Sequence, residues 1–109
     1  MNSRIQLAAL LIDIEAQLRQ LNLWDEEPPP EEALASTQPF AVDTLTLPQW
    51  LQFIFLPTIR YLLEEELELP AQCGIAPMAE EFFRGTRMPV VELIAVLERI
   101  DELLTRQRQ

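Results

Sequence analysis

The amino-acid sequence predicts an all-α protein: a compact four-helix bundle with a kinked central helix and a proline-rich acidic linker. Three observations carry this. Apolar residues recur with alternating steps of three and four in one long segment near each end of the chain. Glycine occurs twice against nine prolines, which argues against a turn-rich β-sandwich or barrel. Apolar residues make up 49% of the 109 positions and eight residues are aromatic, so the chain can bury one real core, and a single domain over 1–109 is expected.

The first helix is expected over about 4–23. Ser3-Arg4-Ile5-Gln6 has the form of a capping box, and Leu7, Leu11, Ile14, Leu18 and Leu21 form one stripe on a helix. Glu15 stands four residues before Arg19, the favourable order for a helix pair.

Asp25-Glu26-Glu27-Pro28-Pro29-Pro30-Glu31-Glu32 stops that helix. Prolines remove amide donors and hold the chain extended, while the acids repel one another. A stiff, solvated linker over 24–35 follows, with a docking segment for a basic or proline-binding partner as the alternative. Residues 33–46 read as irregular. Ser36-Thr37-Gln38-Pro39-Phe40 is expected to hold a short turn, with Phe40 tucked against the bundle.

The second helix is expected to begin near Pro48, where a missing amide does no harm. Trp50, Leu51, Phe53, Ile54, Phe55, Leu56, Ile59, Tyr61, Leu62 and Leu63 surround most of its axis, which places it centrally. Gln49, Gln52, Arg60 and Glu64 form its polar line. Pro57 falls in its interior and crowds the carbonyl of Phe53, so a kink is expected.

Glu64-Glu65-Glu66 and Glu68 end the second helix, and Leu69-Pro70 breaks the chain. A short third helix is expected over about 76–84, opened by Ala76-Pro77, stopped by Gly85 and carrying a Glu80–Arg84 pair. The last is expected over about 89–105, with Val90, Leu93, Leu97, Ile100 and Leu104 inward and Glu102 paired with Arg106. The first and last helices are expected to close over the second.

Histidine and lysine are absent, which removes imidazole catalysis, Schiff-base chemistry, the P-loop lysine and histidine metal sites. The single cysteine, Cys73, cannot form an internal disulfide or by itself a zinc site. Asp13 and Glu15 interrupt the apolar run that follows Arg4, so a signal peptide is not expected. No apolar stretch approaches the ~20 residues that cross a bilayer. A cytoplasmic protein is therefore expected. Among the acids, Glu64 and Glu68 stand four apart, and Glu80 and Glu81 are adjacent. Glu64 and Glu68 are expected at an exposed helix end, too solvated for acid–base work, and no EF-hand spacing exists. No catalytic, metal or cofactor site is expected.

The net charge is −10. Between Leu21 and Phe83 twelve acids face the single Arg60, so the middle of the chain is strongly acidic. That field repels phosphate backbones, and direct nucleic-acid binding is not expected. A partner protein, and a basic one, fits better. Trp24 and Trp50 are anchor candidates, although helical spacing favours Trp50 as core.

At Ser36-Thr37-Gln38-Pro39-Phe40, Asp43-Thr44 and Trp50-Leu51-Gln52 the chain resembles the YqcC-like family of small bacterial proteins. Pro57, Leu62-Leu63, Leu69-Pro70 and Ile75-Ala76-Pro77 continue the match over essentially the whole chain. The family pattern often places an arginine after the central proline; here Thr58 follows, and Arg60 comes later. The resemblance implies a helical bundle and no established activity. It also implies an association with a tRNA pseudouridine synthase, whose gene commonly lies beside those of family members. Such a synthase is a much larger α/β protein with a basic RNA cleft, unlike this chain.

Together these readings predict a non-enzymatic interaction module presenting an acidic surface and the 36–43 loop. Its candidate contact residues are Ser36, Thr37, Gln38, Pro39, Phe40, Asp43, Trp50 and Gln52. An accessory role in tRNA pseudouridine modification is the alternative, and a carboxylate-based enzyme a distant third.

Overall fold

Helix α1 spans Ser3–Gln20 and buries Leu7, Leu10, Leu11, Ile14 and Leu18, the stripe that the spacing predicts with Leu10 added. The structure is a computed structural model that describes residues 3–70 and 74–106. Cys73 and the Arg106 side chain expected to pair with Glu102 lie outside the described residues. Ser3 is already helical, so the α1 cap falls outside them too.

α1 ends at Gln20, three residues before its expected bound of 23. Asn22 adopts the left-handed region (φ 61°), the Leu23 amide donates to the Leu18 carbonyl at 2.8 Å, and that of Asn22 donates to Arg19 at 3.1 Å. This Schellman pattern satisfies the last carbonyls of the helix without a glycine. Leu21 is half-buried in the turn instead of extending the helix.

The linker region is not extended throughout. Glu31–Leu34 makes one helical turn, α2, and Ala33 and Leu34 pack partly against the core. Pro39–Ala41 forms a 3₁₀ turn at the predicted position.

The central helix covers 47–64 in three pieces: α3 (Leu47–Trp50), a π turn (Leu51–Phe55) and α4 (Leu56–Glu64). The disturbance expected from Pro57 takes the form of that π turn. A proline ring crowds the carbonyl four residues back, and widening the preceding turn redirects those carbonyls, with the Leu56 amide donating to Leu51. A capping box opens the helix. The Gln49 amide donates to Thr46 Oγ1 at 3.3 Å, and the Thr46 amide donates to Gln49 Oε1 at 2.9 Å. Trp50, Leu51, Phe55, Leu56 and Ile59 are buried, whereas Tyr61 is 57% exposed, so the helix is not covered all round. Gln52, expected on the polar line, is only 7% exposed.

At its far end the chain repeats the Schellman turn. Leu67 donates to Leu62 at 2.9 Å, with Glu66 left-handed at φ 55°. Glu68 therefore lies beyond the helix, and Glu64 and Glu68 do not share a helical face.

α5 spans Ile75–Phe83 and α6 spans Val91–Arg106, each displaced by a residue or two from its expected bounds. Leu93, Leu97, Ile100, Leu103 and Leu104 are buried along α6. Arg84 pairs with Glu81 at 2.8 Å and not with the expected Glu80. α5 ends at Phe83 and Arg84 turns to extended backbone, so the four-residue spacing no longer brings the two side chains together.

α1 packs most extensively on α6, antiparallel to it, and α5 also packs on α6. The two long leucine stripes thus interlock with each other instead of both closing on the central helix. α4 lies antiparallel along α1, where Arg60 bonds Glu15 at 3.0 Å and Arg4 donates to the Leu67 carbonyl. α3 is covered by α5 and the 39–41 turn. The radius of gyration is 13.6 Å, close to the ~13 Å of a compact chain of about 100 residues. No strand occurs among the described residues.

Candidate functional site

The 36–43 loop is closed by its own polar groups. Ser36 Oγ donates to Asp43 Oδ1 at 2.5 Å and accepts from the Gln38 amide at 3.1 Å. Thr44 Oγ1 donates to the Ala33 carbonyl at 2.7 Å, tying the loop to α2. Phe40 (φ 59°) and Ala41 (φ 48°) sit successively in the left-handed region. Residues with a Cβ pay ~1–2 kcal/mol each for that conformation, so the staples and the packing of the Phe40 ring hold it.

Phe40 is half-buried and meets Trp50 edge to face at 4.8 Å; Trp50 in turn lies 5.2 Å from Phe55. The aromatic pair thus joins the loop to the central helix. Gln52 reaches elsewhere. Its Nε2 donates to the Asp25 carbonyl at 2.7 Å, and its Oε1 accepts from the Asp25 amide at 2.9 Å. Thr37, Gln38 and Pro39 are exposed. The eight candidate residues therefore fall into three places: the loop with its staple, the aromatic contact, and the clamp on residue 25.

Beside the loop runs an apolar groove of about 310 Å³ between the 40–47 segment and α5. Phe40, Leu45 and Met78 line it, with Val42 (61% exposed) and Phe82 (44%) at its lips. Val42, Met78 and Phe82 are not among the eight contact residues expected from the sequence, although Val42 stands out as apolar in the irregular 33–46 segment. Their signal was faint: Met78 and Phe82 stand four apart on one face of a short helix, and Val42 sits two residues beyond Phe40. Glu81 also lines the groove.

α5, the far wall, is held from α6. Asp101 accepts from the Ile75 amide (Oδ1, 3.0 Å) and the Ala76 amide (Oδ2, 2.9 Å), occupying two donors at the helix start. Arg19 stacks on Trp24 at 4.5 Å and bonds Glu15 at 3.0 Å. The Glu15 carboxyl is held below its ordinary value of 4.5, first by the hydrogen bond from Arg60 and then by that from Arg19. Glu64, Glu65, Glu66, Glu68, Glu80 and Glu81 are all exposed. Among the described residues no group of His, Cys, Asp or Glu could hold a metal ion, and no helix is long and apolar enough to cross a membrane.

The solution NMR structure of protein YqcC from E. coli superimposes on this fold with a TM-score of 0.78, at 31% identity, covering 98% of this chain and 92% of that one. An "Uncharacterized protein" of Haemophilus influenzae is 35% identical over 100 residues, spanning 92% of this chain and 93% of that protein. A protein of Pectobacterium carotovorum named tRNA pseudouridine synthase C is 46% identical over 70 residues, which are 64% of this chain but 19% of that protein. The DUF446 family model, described as tRNA pseudouridine synthase C, matches residues 6–103, so the chain belongs to the DUF446 family, as its YqcC-like motifs imply.

Proposed function

We propose that this chain is a non-enzymatic protein-interaction module that works in the cytoplasm. The observation that carries the reading is the Pectobacterium match. Most of this small domain recurs there as a minor part of a much longer polypeptide, whereas the Haemophilus relative is of similar length to this chain. A unit carried both alone and joined to further chain acts beside another protein. Its side chains support this. Asp101 is occupied in capping α5, and Glu15 is shifted downward, the wrong direction for a general acid at neutral pH.

The second reading is an accessory role in tRNA pseudouridine modification, favoured by the name of that longer protein. On this reading the chain touches the enzyme and not the RNA, because a net charge of −10 repels phosphate.

Affinity purification of the tagged chain from its native host at low salt tests both. A stoichiometric protein partner is expected. Recovery of none would sink the first reading, and co-purifying synthase or tRNA would promote the second.

A further inference from the structure

We infer that the groove between the 40–47 segment and α5 is the docking surface, and that its occupant is a segment of a partner protein with an apolar anchor flanked by Arg or Lys. This rests on the interaction-module reading and names its site and the chemistry of its partner.

The groove is apolar where a partner would sit. Val42 stands largely in water and Phe82 partly so at its lips, beside Phe40, Leu45 and Met78. Exposed apolar side chains are ordinary when scattered; collected around one concavity they mark a contact surface. About 310 Å³ lies at the lower end of the ~300–1,000 Å³ typical of binding pockets, which suits an anchor side chain or two.

Both walls are held before any partner arrives. The loop wall is stapled by Ser36–Asp43 and Thr44–Ala33, with Phe40 and Ala41 in the left-handed region. The α5 wall is clamped by Asp101. Preformed walls spare the entropy of ordering them on binding, while the unbranched Met78 side chain can adapt to what enters.

The charge around the groove selects the occupant. A neighbouring depression shares Thr46 and Phe82 with the groove and extends it to Leu23, Asp25 and Gln49. Among the residues lining the two, Glu81 and Asp25 are the charged ones, and both are acidic. Exposed Glu26 and Glu27 follow Asp25 in sequence, Asp43 follows Val42 and Glu80 precedes Glu81; Arg84, paired with Glu81 at 2.8 Å, offsets one of these six acids. An apolar floor inside an acidic rim complements an apolar anchor with cationic flanks. A second copy of this chain would bring another −10 to the same rim.

The test titrates the ¹⁵N-labelled full chain with a 14-residue amphipathic Leu/Lys peptide, alongside Leu/Glu and Ser/Lys analogues. The Leu/Lys peptide is expected to move the NMR signals of Val42, Thr46, Met78 and Phe82, and to bind at least tenfold more tightly than either analogue. The double variant Val42→Ser/Phe82→Ser is expected to lose at least tenfold in affinity while keeping the wild-type fold, read from unchanged amide signals along α1 and α6. Glu81→Lys, which alters the rim without touching the floor, is expected to weaken binding as well. Equal binding of the Ser/Lys peptide would overturn the proposal, as would shifts centred on residues 26–32 or 64–68. Concentration-dependent dimerisation through the same residues would overturn it too. In the host purification, a partner retained equally by the double variant removes the groove and leaves the module reading standing. Absence of any partner removes that reading itself.

Discussion

The side-chain amide of Gln52 forms a reciprocal pair with the backbone of Asp25, donating to its carbonyl at 2.7 Å and accepting from its amide at 2.9 Å. A buried polar side chain on the π turn thereby fixes where the acidic segment leaves α1. Gln49 Nε2 reaches the Asp25 carboxylate from the same helix at 3.5 Å. The start of the linker is anchored, whatever its prolines do beyond.

Gln52→Ala should destabilise the fold by about 1–3 kcal/mol, since two hydrogen bonds are lost and a small void is left at a buried position. Gln52→Glu should cost more at neutral pH, because a carboxylate oxygen would replace the donor facing the Asp25 carbonyl. Denaturant midpoints of the two variants check the order; Gln52→Glu as stable as wild type at pH 7 would refute the clamp.

Asp101 carries the start of α5 from a different helix. Asp101→Ala should cost about 1–2 kcal/mol, the upper half of the usual effect of losing a helix cap. Asp101→Asn retains one acceptor and should lie between. Amide hydrogen exchange at Ile75 and Ala76 is expected to accelerate in both; unchanged protection there would mean that the carboxylate does not cap.

The Glu15 cluster predicts a pH dependence. Its folded pKa is lowered below 4.5 by Arg60 and Arg19, so its contribution is fully present above the unfolded value, near 4.5. The contribution is lost as pH falls through the lower folded value. Both arginines are largely exposed, which holds the effect to about 0.2–1 kcal/mol. Wild type should exceed Glu15→Gln by that margin at pH 7, and the gap should close on acidification below 4.5. A gap that widens in acid would contradict the sign.

Phe40 and Trp50 should separate by burial. Trp50→Ala is expected to cost about 3–5 kcal/mol, as truncation of a buried aromatic does, and Phe40→Ala less, because its ring is only half-buried. Gln38→Ala should leave the denaturation midpoint nearly unchanged, since the staple uses its backbone amide and not its side chain. Phe40→Ala unfolding at the wild-type midpoint would dissolve the link between loop and helix.

The helices were legible in the sequence because their information is local. Three-and-four spacing marks the stripes of α1 and α6, Pro57 marks the disturbed turn, and Thr46-Leu47-Pro48-Gln49 carries the capping box that opens the central helix. Phe40 was foreseen against the bundle for a similar reason: an aromatic ring in a polar, proline-stiffened loop needs a surface to lie on. Tertiary structure alone decided the rest. Gln52 reads as one more polar position on a helix until Asp25, 27 residues away, is placed beside it. Asp101 looks like a surface acid until the α5 amides, some 26 residues back, come to rest on it. The groove exists only because a loop carrying Val42 and a helix carrying Phe82 end side by side. Periodicity reports which face of a helix turns inward, because that depends on neighbours three and four residues away. It carries no record of which distant segment the face will meet, and partner, cap and groove all depend on that meeting.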